Sequence, residues 1–268
     1  MSNCDHFRAA TAYVAGWISA QASVGEESIT DWLLYDLSAK VSGLKYVKFT
    51  KPQEARITGA DWEWWFVGNQ QSLRMRIQAK RLRHGTDVYP SLAYANQHGL
   101  QIDKLLNDAH SNSALAFYAL YVEPGQYTQL CGGPVRHHPP DQAIYIAAAN
   151  SINRQFVAPA RQFISAADVV QHSNPIECLV CCPYTHAPAT NAIDGLDQFI
   201  NKYYRDSRVD ENGEISEVRR GLVEEVPAYV SALLNRANDD RFEWYEQEFF
   251  RQLPEVNGIV TFDLRSAE

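Results

Sequence analysis

Two neighbouring stretches, residues 61–66 and 73–82, alternate in a way that only extended chain can use. Successive strand residues point to opposite faces of a sheet. Leu73, Met75, Ile77 and Ala79 therefore share one face, and Arg74, Arg76, Gln78 and Lys80 share the other. In the first stretch Trp62, Trp64 and Phe66 form an apolar face, which leaves Asp61, Glu63 and Trp65 opposite. Gly68 and the polar run Asn69-Gln70-Gln71-Ser72 supply a turn, so the pattern predicts a hairpin. In its obvious register Asp61, Glu63, Gln78 and Lys80 converge. The tryptophans are expected in the core rather than stacked on bases, with Trp65 the exception on the acidic side.

These residue types suit phosphodiester hydrolysis. Asp61 offers a hard oxygen to Mg²⁺, with Mn²⁺ as a substitute. The Gln78 side-chain carbonyl or the main-chain carbonyl of Ala79 offers a second oxygen, and Glu63 is a further candidate ligand. Lys80 would orient a water or offset charge in the transition state. Five basic residues, Arg74, Arg76, Lys80, Arg81 and Arg83, lie between positions 74 and 84 without an acid among them. They form a candidate track for phosphates. Upstream, Glu26 falls on the helical face of Ile29, Leu33, Leu34, Leu37 and Val41, so it is expected to point inward, where an acid needs a partner.

The order of an inward Glu26, then Asp61, then Gln78-Ala79-Lys80 resembles the PD-(D/E)XK nuclease superfamily, above all its Mrr-like restriction endonuclease branch, in which glutamine often holds the second acidic position. Here 17 positions separate Asp61 from Gln78, and the resemblance spans roughly residues 24–122. It implies a mixed α/β sheet, a Mg²⁺-dependent endonuclease leaving 5′-phosphates, and Glu26, Asp61, Gln78 and Lys80 as catalytic residues. Gln78 removes one negative charge from the carboxylate form of the motif, and Glu63 or Glu26 are the candidates to restore it. The Gly-Ala-Asp-Trp-Glu-Trp-Trp and Gln-Ala-Lys-Arg-Leu segments are also similar to those of uncharacterised bacterial proteins, which suits an antiviral defence role. Duplex DNA is the expected substrate, with a second copy or a defence subunit as the expected protein partner. Two other readings stand beside it: an inactive nucleic-acid-binding module of the same fold, and an RNA-directed nuclease toxin.

A net charge of −8 argues against wrapping of nucleic acid by the whole surface, so the basic track must act locally. No apolar run reaches the length of a membrane span and no leader pattern opens the chain, which predicts a cytoplasmic protein. Five cysteines, an odd number, then predict reduced thiols. Residues 176–182, with Cys178, Cys181 and Cys182, read as a buried strand rather than a zinc site, and His137 and His138 as loop residues.

The remaining pattern predicts helices over residues 5–21, 26–41, 93–110, 158–167, 192–204, 221–235 and 244–253. Strands are predicted over 44–50, 114–122, 144–149 and 259–264, the last at a sheet edge. Gln101 is expected on a helix surface, with an approach to the active site as its other reading. The chain therefore reads as an α/β nuclease-like core over 1–125 with an α/β extension over 126–268, either separate or in the same domain.

Overall fold

A computed structural model describes residues 2–49, 58–82, 92–96, 99–124, 142–161, 164–181, 192–208, 220–235 and 256–265. Helix α1 (Asn3–Ala20) begins at a capping box in which Ser2 and Asp5 satisfy each other's main-chain N–H groups. Helix α2 (Glu26–Lys40) buries the predicted stripe Ile29, Leu33, Leu34 and Leu37. Then follow β1 (Leu44–Lys48), β2 (Trp62–Val67), β3 (Ser72–Arg81), a short β4–β5 hairpin (Ala95–Asn96, Gly99–Leu100), α3 (Gln101–Ser111) and β6 (Leu115–Tyr121). The second half holds β7 (Ile144–Ala148), α4 (Ala149–Ile152) running into a π-helical turn at Asn153–Val157, α5 (Ala166–Gln171), β8 (Ser173–Pro175) and α6 (Cys178–Cys181). It ends with α7 (Ala192–Tyr203), a 3₁₀ turn at Arg205–Arg208, β9 (Leu222–Val223), α8 (Ala228–Leu234) and β10 (Gly258–Asp263).

The protein is α/β, with a mixed eight-stranded sheet in the order β1-β10-β2-β3-β6-β7-β8 and β9 paired to the start of β3. β2 and β3 form the predicted antiparallel hairpin, and β3 is parallel to β6 across α3. Strand alternation divides the core. Trp62, Trp64, Phe66, Met75, Ile77 and Phe117 pack with α1, α2, α6 and α7. Trp65, Tyr118 and Leu120 pack on the opposite face with α3, α4, α5 and α8. The sheet is thus covered on both sides.

Several expectations are corrected. β10 does not close an edge but lies between β1 and β2, antiparallel to one and parallel to the other. The predicted helix over 93–110 begins only at Gln101, because the hairpin around Gly99, at φ +101°, comes first. Of the segment predicted as helix over 158–167, residues 158–160 form a turn after the π-helical residues and Ala166 and Ala167 open α5, while residues 221–235 begin as β9. Residues 178–181 are helical rather than extended, an ambiguity that short apolar runs leave open. Cys181 is disulfide-bonded to Cys4 on α1, which overturns the fully reduced reading and removes Cys181 from any zinc site. Cys131, Cys182, His137, His138, Arg83 and the predicted helix 244–253 lie outside the described residues. No described helix is long and apolar enough to cross a membrane.

Candidate active site

Asp61 stands immediately before β2, where Gly59 and Ala60 fix its path. Gly59 has φ +68°, and a Cβ there would lie 2.5 Å from the Gln101 carbonyl oxygen and 2.8 Å from the Leu105 nitrogen. The bare glycine lets the loop rest on the first turn of α3, and Ala60 is fully buried behind it. Gly59→Ala is expected to cost about 2–5 kcal/mol, from the left-handed backbone and from overpacking against a main chain that cannot yield. Urea denaturation measures it.

From that turn the Asp61 carboxylate reaches the far end of β3. Its Oδ2 accepts the Ala79 N–H at 2.8 Å and the Gln78 side-chain amide in a very short contact, and its Oδ1 accepts Asn257 Nδ2 at 3.3 Å. Gln78 Oε1 in turn accepts Gln101 Nε2 from α3 at 2.9 Å. Glu26, at the start of α2, accepts the Arg81 N–H at 2.9 Å. The helix is held there by Thr30, whose hydroxyl donates to the Glu26 carbonyl and shares a 2.6 Å hydrogen bond with the Tyr121 hydroxyl on β6. Glu26, Asp61, Ala79 and Asn257 all line a cleft of about 620 Å³. On its rim Lys48 bridges Glu27 and Asp31 of α2.

Lys80 follows on the same face of β3 as Gln78. It is 7% exposed, and among the described residues its ammonium has no hydrogen-bond or ion-pair partner. Burial pushes the Asp61 carboxyl up to about 6. The Ala79 N–H and the Lys80 charge oppose that rise, while Glu26 and Glu27 add to it. The folded protein therefore holds this proton more tightly than the unfolded chain, and the resulting stability is lost as pH climbs from about 4 to about 6. In EDTA, unfolding free energy minus that of Asp61→Asn is expected to fall across this window and level off above it.

The other predicted residues are held elsewhere. The pairing places Trp62 opposite Ile77, so Glu63 lies opposite Arg76 and away from Asp61. Glu63 is fully buried and ion-paired with Arg76 at 2.5 Å and with Arg74 at 2.8 Å. It also accepts hydrogen bonds from the Tyr229 hydroxyl, at 2.6 Å, and from the Trp65 indole. Burial would raise its carboxyl, but Arg76 and Arg74 outweigh that and hold it below the usual range. So enclosed, Glu63 is no cation ligand. Arg76 is wholly buried and also pairs with Asp108 at 2.8 Å, while Arg74 lies over the Trp65 ring and donates to the Asn112 carbonyl, so neither reaches a phosphate. Arg81 turns its guanidinium back to the Val24 carbonyl, tying down the approach to α2.

The donor set fits a hard divalent cation. Gln78 Nε2 lies against Asp61 Oδ2 and 3.2 Å from the Ala79 carbonyl oxygen. Turning that amide over brings three oxygens together: a carboxylate, an amide and a main-chain carbonyl. Gln101 would have to turn with it, because its own NH₂ would otherwise face another. Among the described residues no group of three His, Cys, Asp or Glu side chains forms a metal cluster, so such a cation would rest on this mixed set.

A family model matches residues 3–265, nearly the whole chain. The chain belongs to DUF6615, a family of unknown function. No curated protein matches it. Membership in DUF6615 thus leaves the chemistry to the site itself. One participant escaped the sequence reading: Asn257 lies 196 positions from Asp61 with no spacing signal. Gln101 takes the second of its two readings, at the site through its hydrogen bond to Gln78 rather than free on the helix surface.

Proposed function

We propose that this protein is a divalent-cation-dependent nuclease with Mg²⁺ as its cofactor, that DNA, most directly duplex DNA, is its substrate, and that Glu26, Asp61, Gln78 and Lys80 carry the reaction. The observation that carries the reading is the junction of β2 and β3: Asp61 against Gln78 and Ala79, with Lys80 one step along the strand and its charge acting on the Asp61 carboxyl. A carboxylate beside a main-chain carbonyl and a side-chain amide offers oxygens to a cation, and an ammonium next to them is a donor for the phosphate that such a cation would hold.

A bound cation would polarise the scissile phosphate and lower the pKa of the attacking water. Asp61, Gln78 and the Ala79 carbonyl would hold it. Lys80 would donate to the phosphate oxygens on which charge develops. Glu26, pinned by the Arg81 N–H, borders the cleft and supplies the negative charge that Gln78 lacks. Because Arg74 and Arg76 are committed to Glu63, the backbone of the substrate must be held by other groups. A role in antiviral defence and a cytoplasmic location belong to the same proposal.

Purified protein incubated with plasmid, linear duplex, single-stranded DNA and RNA in Mg²⁺, Mn²⁺ or EDTA tests it. Cutting of duplex DNA only when a divalent cation is present is expected. Cutting of RNA alone would move the substrate class, and nucleic-acid binding without cutting in either metal would favour the inactive module.

A further inference from the structure

Asn257 lines the cleft without a part in the chemistry above, and it lies 196 positions along the chain from Asp61. Its position is set by the main chain alone. The Phe49 N–H donates to its carbonyl at 2.8 Å, its own N–H donates to the Asp61 carbonyl at 2.8 Å, and Gly258 follows. A Cβ on Gly258 would lie 2.3 Å from the Trp62 ring and 2.4 Å from the Val47 carbonyl oxygen, so β10 is pressed as closely as backbone allows between β1 and β2. None of this needs the Asn257 side chain. That side chain instead lines the cleft with Glu26, Asp61 and Ala79, and donates to Asp61 Oδ1 at 3.3 Å.

A 3.3 Å contact is long for an amide donor, whose usual distance is about 2.9–3.0 Å, so little is lost if the amide turns over. Turned, it presents a carbonyl oxygen to the same space as Asp61, a ligand type that hard cations accept readily. We propose that Asn257 is a further cation-site residue, orienting Asp61 in the free protein and offering its own oxygen when a divalent cation binds. The inference rests on the cation reading of the Asp61 site and extends it: the C-terminal strand exists in the middle of the sheet to complete a site begun by α2, β2 and β3.

Mn²⁺ binding to the full chain without nucleic acid, followed by the loss of the free-ion electron paramagnetic resonance signal, tests it independently of cleavage. Asn257→Ala is expected to bind Mn²⁺ roughly tenfold more weakly, the scale of a lost supporting group at a metal site. Asn257→Asp is expected to bind at least as tightly as the native protein, because it returns an oxygen and adds charge. A residue that merely holds Asp61 through its N–H would give the opposite for aspartate, which cannot donate and repels Asp61. Native affinity in Asn257→Ala, or aspartate as weak as alanine, overturns the inference while Asp61→Ala still loses binding. Native affinity in Asp61→Ala overturns the cation reading as well. Circular dichroism melts of each variant confirm that folded protein is compared.

Discussion

Glu63→Ala is expected to destabilise the protein by about 3–5 kcal/mol, because it leaves two guanidinium groups in the interior without their carboxylate. Arg76 has no exposed surface and Arg74 has little, so neither can turn to water. Asp108 remains beside Arg76, but its own carboxyl is raised by burial and it already accepts Asn112 Nδ2. The Tyr229 hydroxyl and the Trp65 indole lose their acceptor in the same step, which loosens α8 from the sheet. For a chain of this size the melting temperature should fall on the order of 10 °C. Glu63→Gln keeps the shape and should lose nearly as much, since the charge balance is what fails. Cation affinity per folded molecule should be unchanged, and a specific loss of Mn²⁺ binding at full stability would return Glu63 to the site.

Lys80→Met is expected to act on turnover rather than on the fold. Methionine fills the volume of the lysine stem, so stability should hold within about 1 kcal/mol. Cleavage should fall by a factor of roughly 10²–10³, the scale set by deleting a preorganised donor to developing charge. Mn²⁺ binding should persist, because Lys80 is not a ligand and its removal relieves repulsion of the cation. A variant that keeps its stability, still binds the cation and no longer cuts would separate the role of Lys80 from that of Asp61. Full cleavage by Lys80→Met would remove Lys80 from the chemistry.

How far these residues were legible follows from what sequence periodicity encodes. The two-residue repeat over residues 73–82 assigned each side chain to a face, and β3 keeps that division. The 3.6-residue repeat on α2 likewise placed Ile29, Leu33 and Leu37 inside and Glu26 beside them. Periodicity reports a face, however, and not whether that face is covered. The arginine-bearing face of β3 reads as a solvated track, yet α3 and α8 pack over it and turn Arg74 and Arg76 into partners of a buried acid. Nor does alternation separate Asp61 from Glu63, which share a face; only the observed register puts one at the sheet's end and the other in its interior. Asn257 was invisible for a third reason. Its contact with Asp61 depends on β10 being inserted between β1 and β2, a long-range pairing that no local pattern specifies.

The chemistry proposed for this protein stands on Asp61 as the anchor of a cation-dependent phosphodiesterase. Plasmid cleavage in Mg²⁺ by native protein and by Asp61→Ala, purified side by side and confirmed folded, tests it most directly. Nicking or linearisation by the native protein that EDTA stops and Asp61→Ala lacks is the expected result. Equal cutting by the two would contradict the account, because the hydrolysis would then belong to another site or another protein.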